Sequence, residues 1–389
     1  MKVLQLYNQQ RSIFGGEESV INVIRSVLER HGHQTAVSMR SSRGTERSRI
    51  RKVVAAVGGV FNALAYYETR KLAAAEKPDI AHVHSVYPNF SPSVLLAFRR
   101  VGVPTIFHVH SHILTCPNWY HLRNSKTCDL CFGGKEHWCL LTNCRKSIPE
   151  SAAYTLRSLV ARRLKLFRKN TTLFVTVSAF LRDRLINAGF PDDRIEVLPN
   201  AISSENSTII SLTGNGNYIG YSGRLSFEKG TDTLVEAARK CGLPVKIAGD
   251  GPEMAELKRA APQNVEFLGR LSRIELNKFY QGSRFLVVPS RCYETFSLAL
   301  AESMMFGKPV IASRIGALPE LISEGVNGLL VEVGNVNQLA DRMSLLWANP
   351  QLCQRLGTAA RSWAEDVCNE ERFYHGLMSI YDRARQISG

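Results

Sequence analysis

The sequence lacks an apolar run long enough to cross a bilayer. Val53–Tyr67 carries no charged residue, but its 15 positions fall short of the roughly 20 that a membrane-spanning helix needs. Met1–Tyr7 is too short for the charged and apolar regions of a secretory signal, and it predicts a first strand instead. We therefore expect a cytoplasmic chain, in which the nine cysteines are reduced.

Acidic residues are also scarce relative to basic ones. Asp and Glu number 34 against 49 Lys and Arg, which gives a formal net charge of +15. This excess favours anionic partners such as nucleotide phosphates, lipid head groups or nucleic acid. Aromatic residues make up only 8%, and the cations are spread over both halves of the chain, which argues against a dedicated nucleic-acid module.

Internal repeats and low-complexity tracts are absent, and 389 residues are too many for one ordinary core. Strand patterns alternate with helix patterns, which predicts an α/β fold with parallel sheets. The polar, turn-rich stretch 203–217 is the predicted linker. We therefore place an N-terminal domain at 1–202 and a C-terminal domain at 203–370, with a helix at about 371–389 crossing back onto the first domain.

The individual elements follow from apolar periodicity and from turn residues. The predicted strands are Lys2–Tyr7, Pro78–His84, Val103–His110, Thr172–Ser178, Arg194–Asn200, Tyr218–Tyr221, Val245–Ala248, Val265–Leu268, Ser283–Ser290 and a late edge strand Gly328–Val331. The predicted helices include Glu18–Arg30, Ser93–Arg100 and Ser151–Lys169, and another ends at Gly307.

The stretch 291–307 is the most informative part of the sequence. Its loop carries Glu294, and Glu302 follows eight residues later on the helix, which is about 12 Å at most along the axis. Both carboxylates could contact one extended polar ligand. The backbone amides of Phe296, Ser297 and Leu298 lie at the helix N-terminus, where free N–H groups and the helix dipole favour a phosphate.

Other candidate ligand-binding residues follow strands elsewhere in the chain. Arg224 and Lys229 have the right chemistry to neutralise a diphosphate. The remaining candidates are Gly15 and Gly16 after the first strand, His110 at the end of another, and Gly249 and Gly269 in strand-end turns suited to a nucleobase and ribose.

Taken in order, these motifs resemble those of retaining glycosyltransferases, in particular glycosyltransferase family 4. Glu294 and Glu302 resemble the E-x7-E signature, and the segment 223–230 matches the family's G-R-x-x-x-x-K-G clamp. Gly15-Gly16 and His110 stand where the family has its diphosphate-facing loop and its histidine. Many relatives have Asp or Asn after that histidine, whereas this chain has Ser111. The resemblance implies the GT-B fold, two Rossmann-like domains facing across a cleft.

The resemblance also implies roles for these residues. Arg224 and Lys229 would hold the donor diphosphate, Glu302 the ribose and Glu294 the sugar hydroxyls. His110 would lie near the sugar, and Gly16 would offer backbone to the phosphates. The implied reaction is metal-independent transfer, with retention of configuration, from a nucleotide-diphosphate sugar, most simply a UDP-sugar, to a hydroxyl of a lipid-linked or polysaccharide-precursor glycan. A nucleotide-sugar epimerase of the same fold is the enzymatic alternative.

Two basic regions each allow two interpretations. Each could contact a membrane surface, or each could be an ordinary part of the N-terminal domain. Arg40–Lys52 has six basic residues against one acidic residue and precedes the uncharged Val53–Tyr67. Ser151–Lys169 is predicted to place Leu156, Leu159, Val160, Leu164 and Phe167 on one side and Arg157, Arg162, Arg163, Lys165 and Arg168 on the other. Either region could lie on the inner membrane face. Otherwise the first is a buried helix after a solvated loop, and the second is an outer helix of the domain.

Cysteines cluster just after His110. The pairs Cys128-x2-Cys131 and Cys139-x4-Cys144 have spacings that a tetrahedral zinc site can use, and similar insertions follow the histidine in a subset of the resembling family. We favour reduced thiols that fix a loop near the acceptor, with structural zinc as the alternative. A zinc-stabilised nucleic-acid-binding protein therefore stays open as a different class of function.

Overall fold

The computed structural model describes residues 1–9, 16–42, 58–203 and 216–388. The chain divides into two compact units. Unit 1 comprises Met1–His121, Cys128–Pro199 and Phe373–Gly389, and unit 2 comprises Leu122–Thr127 and Asn200–Arg372. The boundary near residue 200 lies within three residues of the one placed from the sequence, and the C-terminal segment returns to unit 1.

Unit 1 is built on a six-stranded sheet in the order β2-β1-β3-β4-β7-β8, with every pairing parallel. Its strands are β1 Lys2–Gln9, β2 Gln34–Ser41, β3 Ile80–Val83, β4 Thr105–Val109, β7 Leu173–Thr176 and β8 Ile195–Val197. Its helices are α1 Gly16–Arg30, α2 Ala63–Glu76, α3 Ser93–Arg100, α4 His137–Leu141, α5 Ile148–Arg163, α6 Leu166–Asn170, α7 Ala179–Asn187 and the C-terminal α15, Glu370–Ser388. Every residue of β3, β4 and β7 is buried, as expected for a parallel sheet covered on both faces.

Unit 2 has its own six-stranded parallel sheet, in the order β11-β10-β9-β12-β13-β14. Its strands are β9 Tyr218–Ser222, β10 Val245–Ala248, β11 Val265–Gly269, β12 Ser283–Val288, β13 Val310–Ser313 and β14 Gly328–Val331, and a hairpin is formed by β5 Leu122–Arg123 and β6 Lys126–Thr127. Its helices are α8 Thr231–Cys241, α9 Met254–Ala260, α10 Arg273–Gly282, α11 Leu298–Met305, α12 Leu318–Leu321, α13 Val336–Ala348 and α14 Pro350–Val367. The order of strands reverses between β9 and β12, where Rossmann-type sheets bind their ligands.

The C-terminal helix α15 packs into unit 1 along most of its length. Phe373, Leu377 and Tyr381 are almost completely buried, and Arg383 forms an ion pair with Glu196 of β8. These contacts anchor the end of the described chain to the first unit.

The predicted helix 151–169 requires a correction. It is two helices, α5 and α6, separated at Lys165, which has a left-handed backbone conformation with φ of +53°. Leu156 and Leu164 are more than half exposed, whereas Arg157 is only 5% exposed, so the prediction of their faces was wrong. The reason is that aromatic rings surround the Arg157 guanidinium, the nearest being Tyr154 at 3.7 Å, and stabilise it in the interior.

Several sequence predictions fall outside the described residues. These are Gly15, the basic segment beyond Ser42, the first five residues of Val53–Tyr67 and most of the linker. Among the described helices, none combines the length and apolar character that a transmembrane span requires.

Candidate functional site

The candidate site of unit 2 lies where neighbouring parallel strands end. Strands β9 and β12 pair directly, so the loops that follow their carboxyl ends are adjacent. The loop after β9 carries Arg224 and Lys229, and the loop after β12 carries Glu294. Residues 65 positions apart in sequence are thereby brought into contact.

Lys229 and Glu294 form an ion pair, with Nζ and Oε1 2.7 Å apart. The same Oε1 accepts a hydrogen bond from the Ser290 hydroxyl. Burial alone would lower the pKa of Lys229, but the adjacent Glu294 carboxylate outweighs burial and raises that pKa above its ordinary value. Lys229 is therefore a cation at neutral pH, and 32% of its side chain remains exposed to a ligand.

Glu302 lies on α11 and has a different set of partners. Its Oε1 is 2.6 Å from Nη1 of Arg273, and its Oε2 accepts a 2.8 Å hydrogen bond from the hydroxyl of Tyr280. Both partners belong to α10. Burial, reinforced by Glu302, raises the pKa of Tyr280 well above its usual value, so the phenol keeps its proton and donates a hydrogen bond to the carboxylate. The Glu302 side chain is thus held in one orientation and is 15% exposed.

Arg224 lies in the same loop as Lys229. Its carbonyl oxygen accepts a 2.9 Å hydrogen bond from the hydroxyl of Tyr221, and its Nη1 lies 4.0 Å from Glu228 Oε1. The guanidinium side chain is 36% exposed. Arg224 therefore has a fixed backbone and an accessible cationic group.

The predicted glycines Gly249 and Gly269 lie against each other. The amide of Gly249 donates to the carbonyl of Gly269 at 2.7 Å. Gly249 has φ of +140°, and a side chain there would place its Cβ 1.8 Å from the carbonyl oxygen of Gly223. Close backbone packing is a sufficient reason for glycine at position 249.

The loop before α11 is held by contacts that the sequence did not indicate. Gly316 has φ of +60°, and a Cβ there would lie 2.5 Å from both the amide and the carbonyl of Glu294. Ala317 donates its amide to the Glu294 carbonyl at 2.8 Å. Ser297 begins the helix as its N-cap, and its hydroxyl accepts from the amide of Leu300 at 3.3 Å. The predicted segment Phe296–Leu298 therefore does form the helix N-terminus.

In unit 1, four histidines share one face of the sheet at β3 and β4. We call His82, His84, His108 and His110 the histidine column. His84 Nδ1 lies 2.9 Å from His110 Nε2, and His82 Nε2 lies 3.1 Å from His108 Nδ1. Burial lowers the pKa of His82 and His110 to about 3 and lowers the pKa of the other two well below the usual value. The column is therefore uncharged at neutral pH.

Three members of the column are close enough to be considered as metal ligands. His82, His84 and His108 each offer a ring nitrogen, and these atoms lie within 4.8 Å of one another. However, the ring of His82 is inclined by only 20° to that of His84 and by 6° to that of His108. Imidazole lone pairs lie in the ring plane, so near-parallel rings do not direct them to one tetrahedral centre. This geometry favours a hydrogen-bonded column.

Comparison with known families covers most of the chain. A model of "Glycosyltransferase Family 4" matches residues 14–206, and a model of "Glycosyl transferases group 1" matches residues 203–363. The two matches adjoin at the boundary between the units. The chain belongs to the family 4 type of glycosyltransferases. Its resemblance to that family and its α/β two-domain fold are confirmed.

Individual relatives of this glycosyltransferase match parts of it. An uncharacterized glycosyltransferase of Methanocaldococcus jannaschii is 30% identical over 55% of this chain and 60% of its own length. The O-antigen chain mannosyltransferase C of Escherichia coli is 30% identical over 43% of this chain and 47% of its own. The chain thus spans about half the length of these two curated relatives. The crystal structure of Anabaena HepE in complex with UDP is 19% identical, with a TM-score of 0.68 over 97% of this chain and 99% of that one, and it shares the GT-B fold.

Sequence reasoning missed the residues that hold the two glutamates of this glycosyltransferase. Ser290 binds Glu294, whereas Arg273 and Tyr280 bind Glu302. Only α10 had a local signal, because Ser272 and the residue three positions later form a capping box at its start. Its contact with Glu302 depends on tertiary packing and has no sequence signature.

All nine cysteines of the chain have free thiols. Cys139 and Cys144 hydrogen-bond through their side chains, while Cys116 and Cys131 line a cavity of about 60 Å³. Burial, with a smaller effect of Cys116, raises the pKa of Cys131 to about 12, so this thiol is protonated at neutral pH. Reduced thiols stay the prediction for these cysteines, with structural zinc as the alternative.

Proposed function

We propose that the protein transfers a sugar, with retention of anomeric configuration, from a nucleotide-diphosphate sugar to an acceptor hydroxyl. The contact between Lys229 and Glu294 carries this proposal, because it unites the two family motifs of unit 2 in one site. Lys229 and Arg224 would bind the diphosphate, Glu302 the ribose, and Glu294 the hydroxyls of the sugar.

The charges of these residues suit that reaction. Cleavage of the donor builds positive charge on the anomeric carbon and negative charge on the departing diphosphate. Fixed cations near the diphosphate lower the barrier electrostatically, so we propose that no divalent metal is required. Before the donor binds, Glu294 keeps Lys229 in place, and the diphosphate then competes for its ammonium group. The incoming hydroxyl would lose its proton to the leaving phosphate.

A UDP-sugar is the proposed donor. The Anabaena structure was solved with UDP and also with UDP-glucose, which supports a nucleotide-sugar donor. The test is to incubate the purified protein with a panel of UDP-, GDP- and ADP-sugars and to quantify the released nucleoside diphosphate. We expect one of these donors, a UDP-sugar, to be hydrolysed slowly, and we expect this hydrolysis to continue in the presence of EDTA. Release that requires added Mg²⁺ would contradict the metal-independent proposal.

The proposed acceptor is a lipid-linked or polysaccharide-precursor glycan at the inner membrane face. Support comes from the E. coli relative, which is named for the O-antigen chain, and from the net charge of +15. The region around the start of α2 also leaves Phe61, Leu64 and Tyr67 46%, 64% and 65% exposed. Exposed apolar groups on a cationic protein are suited to an anionic bilayer.

Liposome flotation tests this membrane contact. We expect the protein to float with vesicles that contain anionic lipid and to float less with neutral vesicles. Replacing Leu64 and Tyr67 by Gln should reduce flotation, whereas the same change at exposed Ile274 and Val326 of unit 2 should not. Equal recovery in the soluble fraction with both kinds of vesicle would refute the membrane proposal.

A further inference from the structure

Within the described part of the chain, the histidine column has two buried ring nitrogens without hydrogen-bond partners. These atoms are Nε2 of His84 and Nε2 of His108. A neutral imidazole has one N–H donor and one acceptor nitrogen, so the location of each proton can be deduced from the available partners. Burying an N–H donor without an acceptor loses its hydrogen bond to water without replacing it, and orphaned N–H groups are rarer than orphaned acceptors.

This reasoning determines the proton positions in the contact between His84 and His110. If His84 were protonated on Nε2, that N–H would be buried without an acceptor. With the proton on Nδ1, His84 instead donates to His110 Nε2 across the observed 2.9 Å. The neutral His110 must then carry its own proton on Nδ1.

The second pair of histidines leads to the same assignment. A proton on the orphaned Nε2 of His108 would again be buried without a partner, so His108 donates from Nδ1 to His82 Nε2 at 3.1 Å. His82 then carries its proton on Nδ1, which lies 2.7 Å from the hydroxyl oxygen of Tyr381 and donates to it. The two pairs also stack, because the rings of His82 and His84 lie 4.4 Å apart and those of His108 and His110 lie 4.2 Å apart.

We propose that His84 is a positioning residue that holds His110 in the Nδ1-protonated tautomer by donating a hydrogen bond to its Nε2. His110 is the more exposed of the two, and the family resemblance gives it a role beside the transferred sugar. His84 is 2% exposed and acts only through His110. The ring of His82 stacks on that of His84. His82 is in turn held by its hydrogen bonds with His108 and with Tyr381 of α15. The effect on sugar transfer rests on the proposed function, whereas the tautomer does not.

The tautomer can be read directly by ¹⁵N NMR of the full-length protein labelled at histidine nitrogens. Signals of His110 are identified by their loss in His110→Gln. We expect His110 to show a protonated Nδ1 and an unprotonated Nε2 at pH 7. A protonated Nε2 on His110 in the unaltered protein would overturn the proposal.

Variants at position 84 distinguish a residue that positions His110 through a hydrogen bond from a residue whose ring only fills space. His84→Phe keeps a ring but removes the donor, so we expect kcat of donor hydrolysis to fall roughly tenfold or more with little change in KM. His84→Asn keeps an N–H near the position of Nδ1 and should restore both the tautomer and most of kcat. The exposed His137→Gln serves as the control and should change neither.

The result that would contradict the proposal about His84 is different from the result that would contradict the proposed function. If His84→Phe folds and leaves both the His110 tautomer and kcat unchanged, His84 is not a positioning residue. If the unaltered protein turns over no nucleotide sugar, the proposed function fails, and the NMR measurement still decides the tautomer.

Discussion

At the scale of single residues, Lys229 shows how two opposing effects determine one charge. Its partial burial disfavours the ammonium form, but the carboxylate of Glu294 2.7 Å away more than compensates. Replacing Lys229 by Met should therefore remove a cation from the donor site and also leave Glu294 unpaired. We expect donor hydrolysis to fall by about two to three orders of magnitude, by analogy with the loss of one preorganised electrostatic contact.

The control for this prediction is Lys240→Met, since Lys240 lies at the end of α8 and hydrogen-bonds Asn337 instead. Both variants are to be compared by steady-state release of nucleoside diphosphate. Equal rates for Lys229→Met and Lys240→Met would remove Lys229 from the proposed reaction.

Glu17, at the start of α1, should make the stability of the protein depend on pH. Burial raises its pKa to about 7, with a hydrogen bond from Ser85 opposing the shift and Glu18 adding to it. Because the folded-state pKa lies above the ordinary value of 4.5, this contribution to stability is full below pH 4.5 and is lost as pH rises through 7. Glu17→Gln should thus increase the free energy of unfolding at pH 8 by at most about 3 kcal/mol and change it little at pH 4.

Urea unfolding at the two pH values checks this prediction. The exposed Glu256→Gln is the matched control and should show no such difference between pH 4 and pH 8. A Glu17→Gln protein that is less stable than the unaltered one at pH 8 would show that the sign of the effect is wrong.

At the scale of secondary-structure elements, the strand ends of unit 2 depend on close backbone packing. Gly249→Ala should be strongly destabilising, because φ is +140° and the new Cβ would lie 1.8 Å from a carbonyl oxygen of Gly223. We expect a loss of more than about 3 kcal/mol, near the upper range for point substitutions. Gly242→Ala is the control, since φ there is +66° but no atom lies within 4 Å, and it should cost only about 1–2 kcal/mol. Similar losses in thermal unfolding for both variants would contradict the steric argument.

Much of the element pattern could be predicted from the sequence. Helix Ser93–Arg100 and strands Val245–Ala248 and Gly328–Val331 have the predicted bounds, and the last is an edge strand as predicted. Local apolar patterns and turn residues determine such elements. The burial of Arg157 was not predictable, because two of the three aromatic rings around it, those of Tyr87 and Trp119, come from distant parts of the chain.

Within the candidate site, too, residues with a local sequence pattern could be predicted, and contacts that depend on tertiary packing could not. Glu294, Glu302 and the clamp were recognised because their spacing is local. By contrast, Arg273 and Tyr280 approach Glu302 from another helix, and no periodicity indicates such a contact. His110 was predicted from its place at the end of a strand, but its arrangement with the other three histidines as a column required the register of β3 against β4.

At the scale of the whole molecule, the C-terminal helix α15 contributes buried side chains to unit 1. Phe373, Leu377 and Tyr381 of α15 are each at most 2% exposed, and burial of one such side chain contributes roughly 1.5–3 kcal/mol. Removing residues 370–389 should therefore unfold or strongly destabilise unit 1. Removing only residues 386–389, whose described members are exposed, should have little effect.

Calorimetry of both truncated proteins, with limited proteolysis to identify the unit that is cleaved, provides the measurement. We expect cleavage sites to appear in unit 1 of the longer truncation before they appear in unit 2. Resistance of unit 1 equal to that of the full chain would contradict the prediction.

Because the chain returns to unit 1 after Arg372, most of unit 2 is one contiguous block of sequence. Apart from one six-residue hairpin, unit 2 is residues 200–372, and the polypeptide on either side of this block belongs to unit 1. Such a block can be exchanged as a single cassette with the corresponding segment of a homologue. If donor recognition resides there, a chimaera should inherit the nucleotide-sugar preference of the transplanted segment while keeping the acceptor preference of the recipient.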